Sequence, residues 1–572
     1  MIIFSFPSLL TLSRNAMTNV KMDRPIPTNR EPMQIEQGNV MKRVRYHLIT
    51  AGMFICGLAS AKIQPADVFS NHMVLQQGMP VPVWGSATPG EKLNFHLAPE
   101  PGSPGSRQSK AATAGGDGKW RVELDPMSAS ATPLTLTIES PATGQRIQIV
   151  DVLIGEVWLF SGQSNMQWTF SPTSHGVFNG EQEIAKGNWP LIRQNSFPRG
   201  KRGWIPITPE VMPEVSAVPY FCARQLHQVL KVPIGILIRA NGGTTVEQWS
   251  SPEALQQTDW GRKHKAFLES DQFKAYRKDY LEHDKRRRVW AEAKKAGKTV
   301  PEPKLEIPQE VLYHSVKKSQ GSSWFYHWCL EPVVGYAIRG AAWYQGESNV
   351  SLGNNDRLFA YGEMLAAMVA DWRKKWGRDF PCILVQLPNK GRPAGYAPAS
   401  RWAVIREEIQ YAADTLEKAS MAVTIDTALD GNIHSIYKKP VGERLALHAL
   451  GTAYPDNAIK LGTPTYQSMS VKDGKVRLNF KSIGGGLVLD TSKEPGFVIA
   501  GADKHFVPAK VELLGLPGQP NAHLIVWSDK VAEPVAVRYA WADNPPSSLH
   551  SQSGLPVAPF RTDSWEIPEL GE

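Results

Sequence analysis

Between residues 151 and 455, short apolar runs alternate with segments of helical periodicity, and this alternation leaves few folds open to the chain. The apolar runs are shorter than ordinary helices and rich in aliphatic residues, which is typical of strands buried on both faces. Strands that alternate with helices predict a parallel sheet covered by helices on both faces. The runs are Val152–Ile154, Ile234–Ile238, Ala341–Tyr344 and Ile383–Val385, and helical periodicity follows at Tyr361–Trp376 and Trp402–Leu416.

The two ends of the chain show a different pattern, in which apolar and polar residues alternate between turn signals. Trp120–Leu124 and Lys475–Phe480 alternate in this way, while Met73–Gln76 and Val81–Trp84 flank a turn and predict a hairpin. We therefore predict an N-terminal β-sandwich-like domain at 62–150, an α/β domain at 151–464 and a C-terminal β region at 465–572.

Residues 255–310 form a Lys- and Glu-rich segment that predicts a charged helical insertion in the α/β domain. Its densest basic run, Lys285–Arg288, has acidic neighbours, which is typical of a solvated helix face. The net charge of +9 falls to +5 without residues 1–61, because these hold seven basic and three acidic residues. So mild a balance, with no basic patch interleaved with aromatic residues, argues against nucleic-acid binding.

Residues 41–61 have the three parts of a secretory signal peptide. Met41–Arg45 is basic, Leu48–Leu58 is apolar, and Ala59–Ala61 matches an A-x-A cleavage site. The apolar run is shorter than the roughly 20 residues that a transmembrane helix requires. We predict an exported protein, periplasmic or extracellular, without a membrane span. Residues 1–40 are interpreted as an upstream extension of the reading frame.

Three cysteines follow the predicted signal, and their wide spacing matches no metal-binding pattern. Cys222, Cys329 and Cys382 allow at most one disulfide, and we predict that they are buried thiols. The chain has no H-E-x-x-H, EF-hand, Walker or dinucleotide-binding glycine motif. The sequence therefore predicts chemistry without a metal or another cofactor.

Four polar loops follow the predicted strands, at the sheet edge where the sites of α/β proteins lie. In the first, Ser161–Met166, a glycine precedes Ser164, whose own N–H could face an oxyanion if a helix begins there. A serine in this position can equally be a simple helix N-cap. In the second loop, Gly242 and Gly243 would allow the backbone to approach a ligand closely, although paired glycines also suit an ordinary turn.

The third and fourth loops add amide, carboxylate and imidazole groups. Gln345, Glu347 and Asn349 follow the predicted strand Ala341–Tyr344, and Gln345 or Asn349 could donate to a developing negative charge. His434 precedes a helix and has acidic residues upstream, which suits a general base as well as a structural histidine. Four such loops together favour a hydrolytic site more strongly than any single loop does.

Several of these segments resemble the sialate O-acetylesterase family, which belongs to the SGNH (GDSL-like) hydrolases. The resemblance is carried by Ser161–Met166, Trp343–Asn349, Ile433–His434, Val441–Leu447, Met73–Gln76, Val537–Trp541, Leu555–Pro556 and Pro559–Asp563. These motifs extend over nearly the whole chain after residue 61, and the insertion 255–310 carries none of them.

The resemblance implies a fold and a set of roles. The fold would be an SGNH-hydrolase-like three-layer α/β/α domain with a parallel sheet, flanked by N-terminal and C-terminal β regions. Ser164 would be the nucleophile and His434 the general base. The oxyanion hole would consist of the Ser164 N–H, the N–H of Gly242 or Gly243, and a side-chain amide from Gln345 or Asn349.

The residue that would orient His434 departs from the family pattern. Many SGNH hydrolases carry an aspartate three residues before the histidine, where this chain has Gly431, and closer relatives carry an acid two residues before, where it has Asn432. The candidates are therefore Asp430, Asp426, Asn432 or a backbone carbonyl, or the site works as a dyad.

The resemblance implies a carbohydrate O-acetylesterase that acts on O-acetylated sialic acids through a serine acyl-enzyme. A sialate carboxylate would be expected to meet an arginine, with Arg239, Arg339 and Arg406 as candidates. An acetylxylan or pectin-type acetylesterase would use the same loops. The third possibility is a glycan-binding protein without activity, although such a protein needs neither Ser164 nor His434.

Overall fold

A computed structural model of the protein describes most of the chain from residue 62 onward. The described residues are 62–99, 107–171, 176–197, 203–304, 321–352, 355–428, 431–454, 463–482, 485–515, 522–567 and 570. The predicted signal peptide at 41–61, the upstream segment 1–40, residues 305–310 of the insertion and Asp430 lie outside these ranges.

The N-terminal strands do not include the hairpin that the sequence predicted. β2 pairs in parallel with β8, whereas β3 pairs with β1 and β6 in a separate sheet. β2 is fully buried, so backbone hydrogen bonds to a core strand stabilise it more than an isolated two-stranded hairpin would. The strands are β1 Gln64–Pro65, β2 Val74–Gln76, β3 Val81–Ser86, β4 Lys92–Pro99, β5 Gln108–Thr113, β6 Lys119–Leu124, β7 Ser130–Glu139 and β8 Arg146–Gly162.

Strand β8 is 17 residues long and pairs both with N-terminal strands and with strands of the central α/β region. Its residues 146–154 pair antiparallel with β7, and its residues 156–162 pair in parallel with the strand Ile234–Ala240. The predicted domain boundary at 150/151 therefore falls inside a continuous strand. The division into domains stays a prediction.

The central strands form one large mixed sheet with a parallel middle. They are β9 Trp189–Phe197, β10 Trp204–Ile207, β11 Ile234–Ala240, β12 Gly340–Tyr344, β13 Cys382–Val385 and β14 Ala419–Ala422. The strand order is β10-β9-β11-β8-β12-β13-β14, and each neighbouring pair is parallel except β10 and β9. The predicted parallel sheet is thus part of a larger mixed sheet, and the fold is mixed α/β.

Two pairs of helices pack on the parallel strands. α3 packs against α12 and α10 packs against α11, and both α11 and α12 contact β14. The insertion contains α6 and α7, and α7 is largely exposed, with ion pairs such as Arg288–Asp284 along its surface. The α-helices of the described ranges are α1 Ser164–Gln167, α2 Gly180–Ala185, α3 Ala217–Leu230, α4 Val246–Trp249, α5 Pro252–Gln256, α6 Asp259–Glu269, α7 Asp271–Lys295, α8 Glu347–Leu352, α9 Asn355–Phe359, α10 Tyr361–Trp376, α11 Arg401–Thr415 and α12 Lys438–Ala453.

The C-terminal strands form three small antiparallel sheets that share the hydrophobic core of the rest. Their orders are β15-β16-β21-β20, β17-β23 and β19-β18-β22-β24. One cluster of buried apolar side chains continues from Ile63 to Leu570. The strands are β15 Thr465–Lys472, β16 Lys475–Lys481, β17 Leu487–Leu489, β18 Phe497–Ala500, β19 Val507–Pro508, β20 Lys510–Leu514, β21 His523–Trp527, β22 Ala536–Tyr539, β23 Leu549–Ser551 and β24 Phe560–Arg561.

The predicted buried thiols are confirmed, since Cys222, Cys329 and Cys382 are buried and unbridged. Within the described ranges, no helix combines the length and the apolar composition needed to cross a bilayer. The same ranges contain no cluster of three or more histidine, cysteine or acidic side chains suited to a metal ion.

Candidate active site

Three of the four predicted loops leave the parallel sheet at the same level. Gly162, the last residue of β8, pairs with Ala240 at the end of β11 and with Tyr344 at the end of β12. The loops that follow these strands carry Ser164, Gly242 and Gln345, respectively. Because the strands are parallel and in register, the carboxyl ends bring these residues to one edge of the sheet.

Gly162 makes the sharp turn that presents Ser164. Its φ is 135°, and a Cβ at this position would overlap the carbonyl oxygen of Tyr344. α1 begins at Ser164 itself, so the Ser164 amide belongs to the first turn of a helix, where backbone N–H groups have no partner within the helix. Ser164 is half-buried and thus reachable from solvent.

Gly162→Ala is expected to destabilise the protein by about 3 kcal/mol or more, because the methyl group meets backbone that cannot move away. The measurement is the urea midpoint of unfolding followed by circular dichroism. Gly377→Ala is the matched control: Gly377 has a φ of 64° but open space around its Cβ position, so its strain alone should cost about 1 kcal/mol. Equal shifts in both variants would contradict the close approach.

Ser164 and His434 form a hydrogen-bonded pair. The Ser164 Oγ lies 2.9 Å from the His434 Nε2. The indole of Trp168 stacks on the imidazole, with 5.0 Å between ring centroids and 25° between planes. A hydroxyl at this distance from an imidazole nitrogen can transfer its proton, which is the geometry that an activated serine needs.

Two of the predicted partners of His434 can be located, and both have other bonds. The Asn432 Oδ1 accepts the His434 backbone N–H at 2.9 Å and so shapes the turn before the imidazole. Asp426 makes a bidentate ion pair with Arg444 at 2.6 and 2.7 Å. Burial would raise the pKa of Asp426, but the Arg444 guanidinium outweighs this effect and holds the pKa below its ordinary value. Asp430 lies outside the described residues, so its orienting role stays a prediction.

Of the two candidate glycines, Gly242 lies next to Ser164. A Cβ built on Gly242 would be 3.4 Å from the Ser164 Cβ, whereas one built on Gly243 would meet nothing within 4 Å. The Gly242 N–H donates to the side-chain oxygen of Gln167 at 3.1 Å. The Gln167 side chain thus occupies the Gly242 N–H, one of the predicted oxyanion donors.

Gln345 and Asn349 are buried within a network of polar groups. The Gln345 Nε2 lies 2.8 to 3.2 Å from three oxygens, those of Gln163, Thr244 and Asn349, and so has no N–H left for a substrate. The Asn349 Oδ1 also accepts the Val246 N–H at 3.1 Å. In this arrangement the two amides hold the second and third loops together.

Glu347 is joined through Asn165 to α1, the helix that begins at Ser164. The Glu347 Oε1 accepts the Asn165 Nδ2 at 2.6 Å, and the Asn165 Oδ1 accepts the Lys438 Nζ at 2.5 Å. Burial raises the pKa of Glu347. Burial also lowers the pKa of Lys438 to about 7, although the Glu347 carboxylate acts in the opposite direction.

The three arginines predicted to meet a substrate carboxylate are engaged elsewhere. Arg406 is fully buried and donates to four backbone carbonyls, among them those of Leu387 and Ala542. Arg239 bonds the Asn195 side chain, and Arg339 makes an ion pair with Glu156 at 2.7 Å. Each of them stabilises the fold where it stands.

Three residues outside the predicted loops also contact them, namely Gln167, Trp168 and Lys438, and Asn165 of the first loop contacts the third and fourth. Gln167 and Trp168 follow Ser164 by three and four residues, and helical spacing could have placed both beside it. No signal in the sequence marks Lys438, because a lysine at the start of a helix is ordinarily exposed.

The chain is similar to esterases of known type over most of its length. It is 26% identical to the sialate O-acetylesterase of Homo sapiens over 545 residues, which cover 86% of this chain and 91% of that one. For the Mus musculus sialate O-acetylesterase, the identity is 25% over 540 residues, with 86% and 93% covered. No protein-family model matches.

Among solved structures, a novel carbohydrate acetylesterase from Xanthomonas citri aligns with 88% of this chain and 100% of its own. The TM-score is 0.68 and the identity is 29%. The predicted resemblance to sialate O-acetylesterases is confirmed, and the mixed α/β fold is one that a carbohydrate acetylesterase also has.

Proposed function

We propose that this chain, which resembles sialate O-acetylesterases over 86% of its length, is a carbohydrate O-acetylesterase with Ser164 as its nucleophile. One observation carries the proposal: the Ser164 Oγ lies 2.9 Å from the His434 Nε2 where parallel strands end. A serine and a histidine from loops 270 residues apart would not meet there by local structure alone.

The proposed reaction has two stages. His434 Nε2 takes the Ser164 proton while the Oγ attacks the acetyl carbonyl, and the same proton then passes to the sugar oxygen as that alcohol leaves. A water molecule gives a proton to His434 and attacks the acetyl-serine, which releases acetate and returns the proton to Ser164. Because His434 both accepts and returns each proton, no cofactor is required.

The proposed oxyanion hole is formed by backbone N–H groups of Ser164 and Gly242. Each such donor stabilises the transition state by about 3 kcal/mol in serine hydrolases. The Gly242 N–H is engaged by Gln167 Oε1 at 3.1 Å, so the acetyl oxygen would displace that side chain on binding.

We further propose that the fold is the three-layer α/β/α arrangement of SGNH hydrolases, with flanking β regions. It is supported by the two helix pairs on the sheet: α3 contacts β11, α11 contacts β13, and each has its own partner helix. The exported location, periplasmic or extracellular, is proposed from the signal motif at 41–61 alone.

We propose O-acetylated sialic acids as the substrate, because the curated relatives are named for that activity. The second candidate is an acetylesterase for acetylxylan or pectin-type polymers. It is favoured by the arrangement of Arg239, Arg339 and Arg406, all of which are bonded to groups within the protein.

The test is acetate release from p-nitrophenyl acetate, 9-O-acetylated sialic acid and acetylxylan by the same preparation. We expect turnover of the aryl ester, and kcat/KM on the sialate at least about tenfold above that on the xylan, which corresponds to about 1.4 kcal/mol. The reverse ranking would favour the polymer esterase. Absence of release from all three would overturn the esterase proposal, and glycan binding without turnover would then be measured by calorimetry.

A further inference from the structure

A buried chain of side chains connects the three segments that carry the proposed active site. Glu347 begins α8, Asn165 lies next to Ser164 in α1, and Lys438 begins α12, four residues after His434. The Lys438 Nζ donates to Asn165 at 2.5 Å, and Asn165 donates to Glu347 at 2.6 Å. We refer to these three residues as the bridge.

The bridge also connects the segment of Ser164 with the segment of His434. The Asn165 Nδ2 also donates to the backbone carbonyl of Ile433 at 2.8 Å. Asn165 follows Ser164 in the chain and Ile433 precedes His434, so this amide joins the two residues through their neighbours. A shift of Asn165 would therefore change the distance between the Ser164 Oγ and the His434 Nε2.

Lys438 has a second connection to the site through Trp168. Its Nζ lies 5.2 Å from the centre of the Trp168 ring, and that ring stacks on His434. A cation over an indole face is attracted by the π electrons, and burial strengthens the attraction. Lys438 thus holds both the Asn165 amide and the aromatic ring against which the imidazole rests.

The charges of the bridge do not suit a purely structural role. Lys438 and Glu347 are 2% and 3% exposed, and Asn165 stands between them. The Glu347 Oε2 is buried without a hydrogen-bond partner among the described residues. Buried ionic groups of this kind can often be replaced by apolar residues with no loss of stability, so another role has to account for them.

We propose that Lys438, Asn165 and Glu347 are positioning residues that hold Ser164 and His434 at reacting distance. This proposal rests on the proposed function, since it concerns the same serine and histidine. Neither Lys438 nor Glu347 reacts with the substrate. Their hydrogen bonds hold the Asn165 amide in place from its two ends, and the amide sets the geometry of proton transfer.

The test is a double-mutant cycle of Lys438→Met and Glu347→Gln, with kcat and KM measured on p-nitrophenyl acetate. We expect each single variant to lower kcat about 10- to 100-fold and KM to change little, because misplacing the reacting groups affects the chemical step. The double variant should be no slower than the slower single variant, because the residues act as one unit. Lys438→Arg, which keeps the cation, should retain more activity than Lys438→Met.

Lys439→Met is the matched control, since Lys439 is the exposed neighbour of Lys438 in α12, and its kcat should stay within about twofold of wild type. The proposed positioning role would be overturned if the losses in kcat of the two single variants multiplied in the double variant. It would also be overturned if the single variants kept the wild-type kcat. If the single variants do not fold, the double variant can still be measured, because it leaves neither buried charge without its partner. A wild-type kcat in the double variant would then overturn the proposed positioning role of the bridge. A wild-type protein inert on the ester would instead count against the proposed function.

Discussion

Ser164→Ala is expected to lower kcat for p-nitrophenyl acetate by at least about 10⁴-fold. The alanine cannot form the acyl bond, and His434 is left with no hydroxyl to deprotonate at the 2.9 Å position that Ser164 Oγ occupies. What remains is the contribution of the oxyanion donors and of substrate binding. Initial rates at saturating ester measure the loss.

A trapped intermediate distinguishes the acyl-enzyme from other mechanisms. Wild-type protein quenched in acid during turnover should show the added mass of one acetyl group, and Ser164→Ala should not. Ser492→Ala makes the same change at an exposed serine in the C-terminal region and should leave kcat within about twofold of wild type. A Ser164→Ala protein that keeps a tenth of the activity would rule out Ser164 as the nucleophile.

His434→Ala is expected to lower kcat by about 10⁴-fold, because the serine hydroxyl is a weak nucleophile without its base. The double variant Ser164→Ala/His434→Ala should be no slower than either single variant, since the two residues carry out one proton transfer. Rates of all three variants on the aryl ester, compared with wild type, give the coupling between the residues.

His505→Ala is the control for this substitution, because His505 is exposed in the C-terminal region and should be dispensable. Circular dichroism spectra identical to wild type would show that His434→Ala remains folded. If the losses in the double variant multiplied, serine and histidine would be acting in separate steps, and the proposed mechanism would be wrong.

The strands and helices of the α/β region could be predicted because buried segments are recognisable in the sequence by their apolar patterns. The apolar runs at Val152–Ile154, Ile234–Ile238 and Ala341–Tyr344 fall inside β8, β11 and β12, and the periodic segment Tyr361–Trp376 coincides with α10. Local pattern could not predict which strands pair. Val74–Gln76 of this predicted hairpin pairs with β8, 79 residues further along the chain (Val74 with Leu153), and not with its neighbour in sequence.

The position of the site could be predicted, but its internal bonds could not. Loops after parallel strands must meet at one edge of the sheet, which brings Ser164 and Gly242 together. Whether an amide faces the substrate or the core depends on contacts from distant segments. Gln345 has no N–H left for a substrate because the Gln163, Thr244 and Asn349 oxygens all lie around it.

The continuity of β8 has a consequence for how the molecule can be divided. The N-terminal strand β7 pairs with residues 146–154 of β8, and the same strand continues to Gly162, two residues before Ser164. A displacement of the N-terminal strands would therefore be transmitted along this backbone to Gly162. A cut at residue 150 would remove β2 and β7, the strands that pair with the first half of β8. The N-terminal strands thus brace the strand that leads to Ser164, and a fragment that keeps this support would have to begin before β2 and retain it.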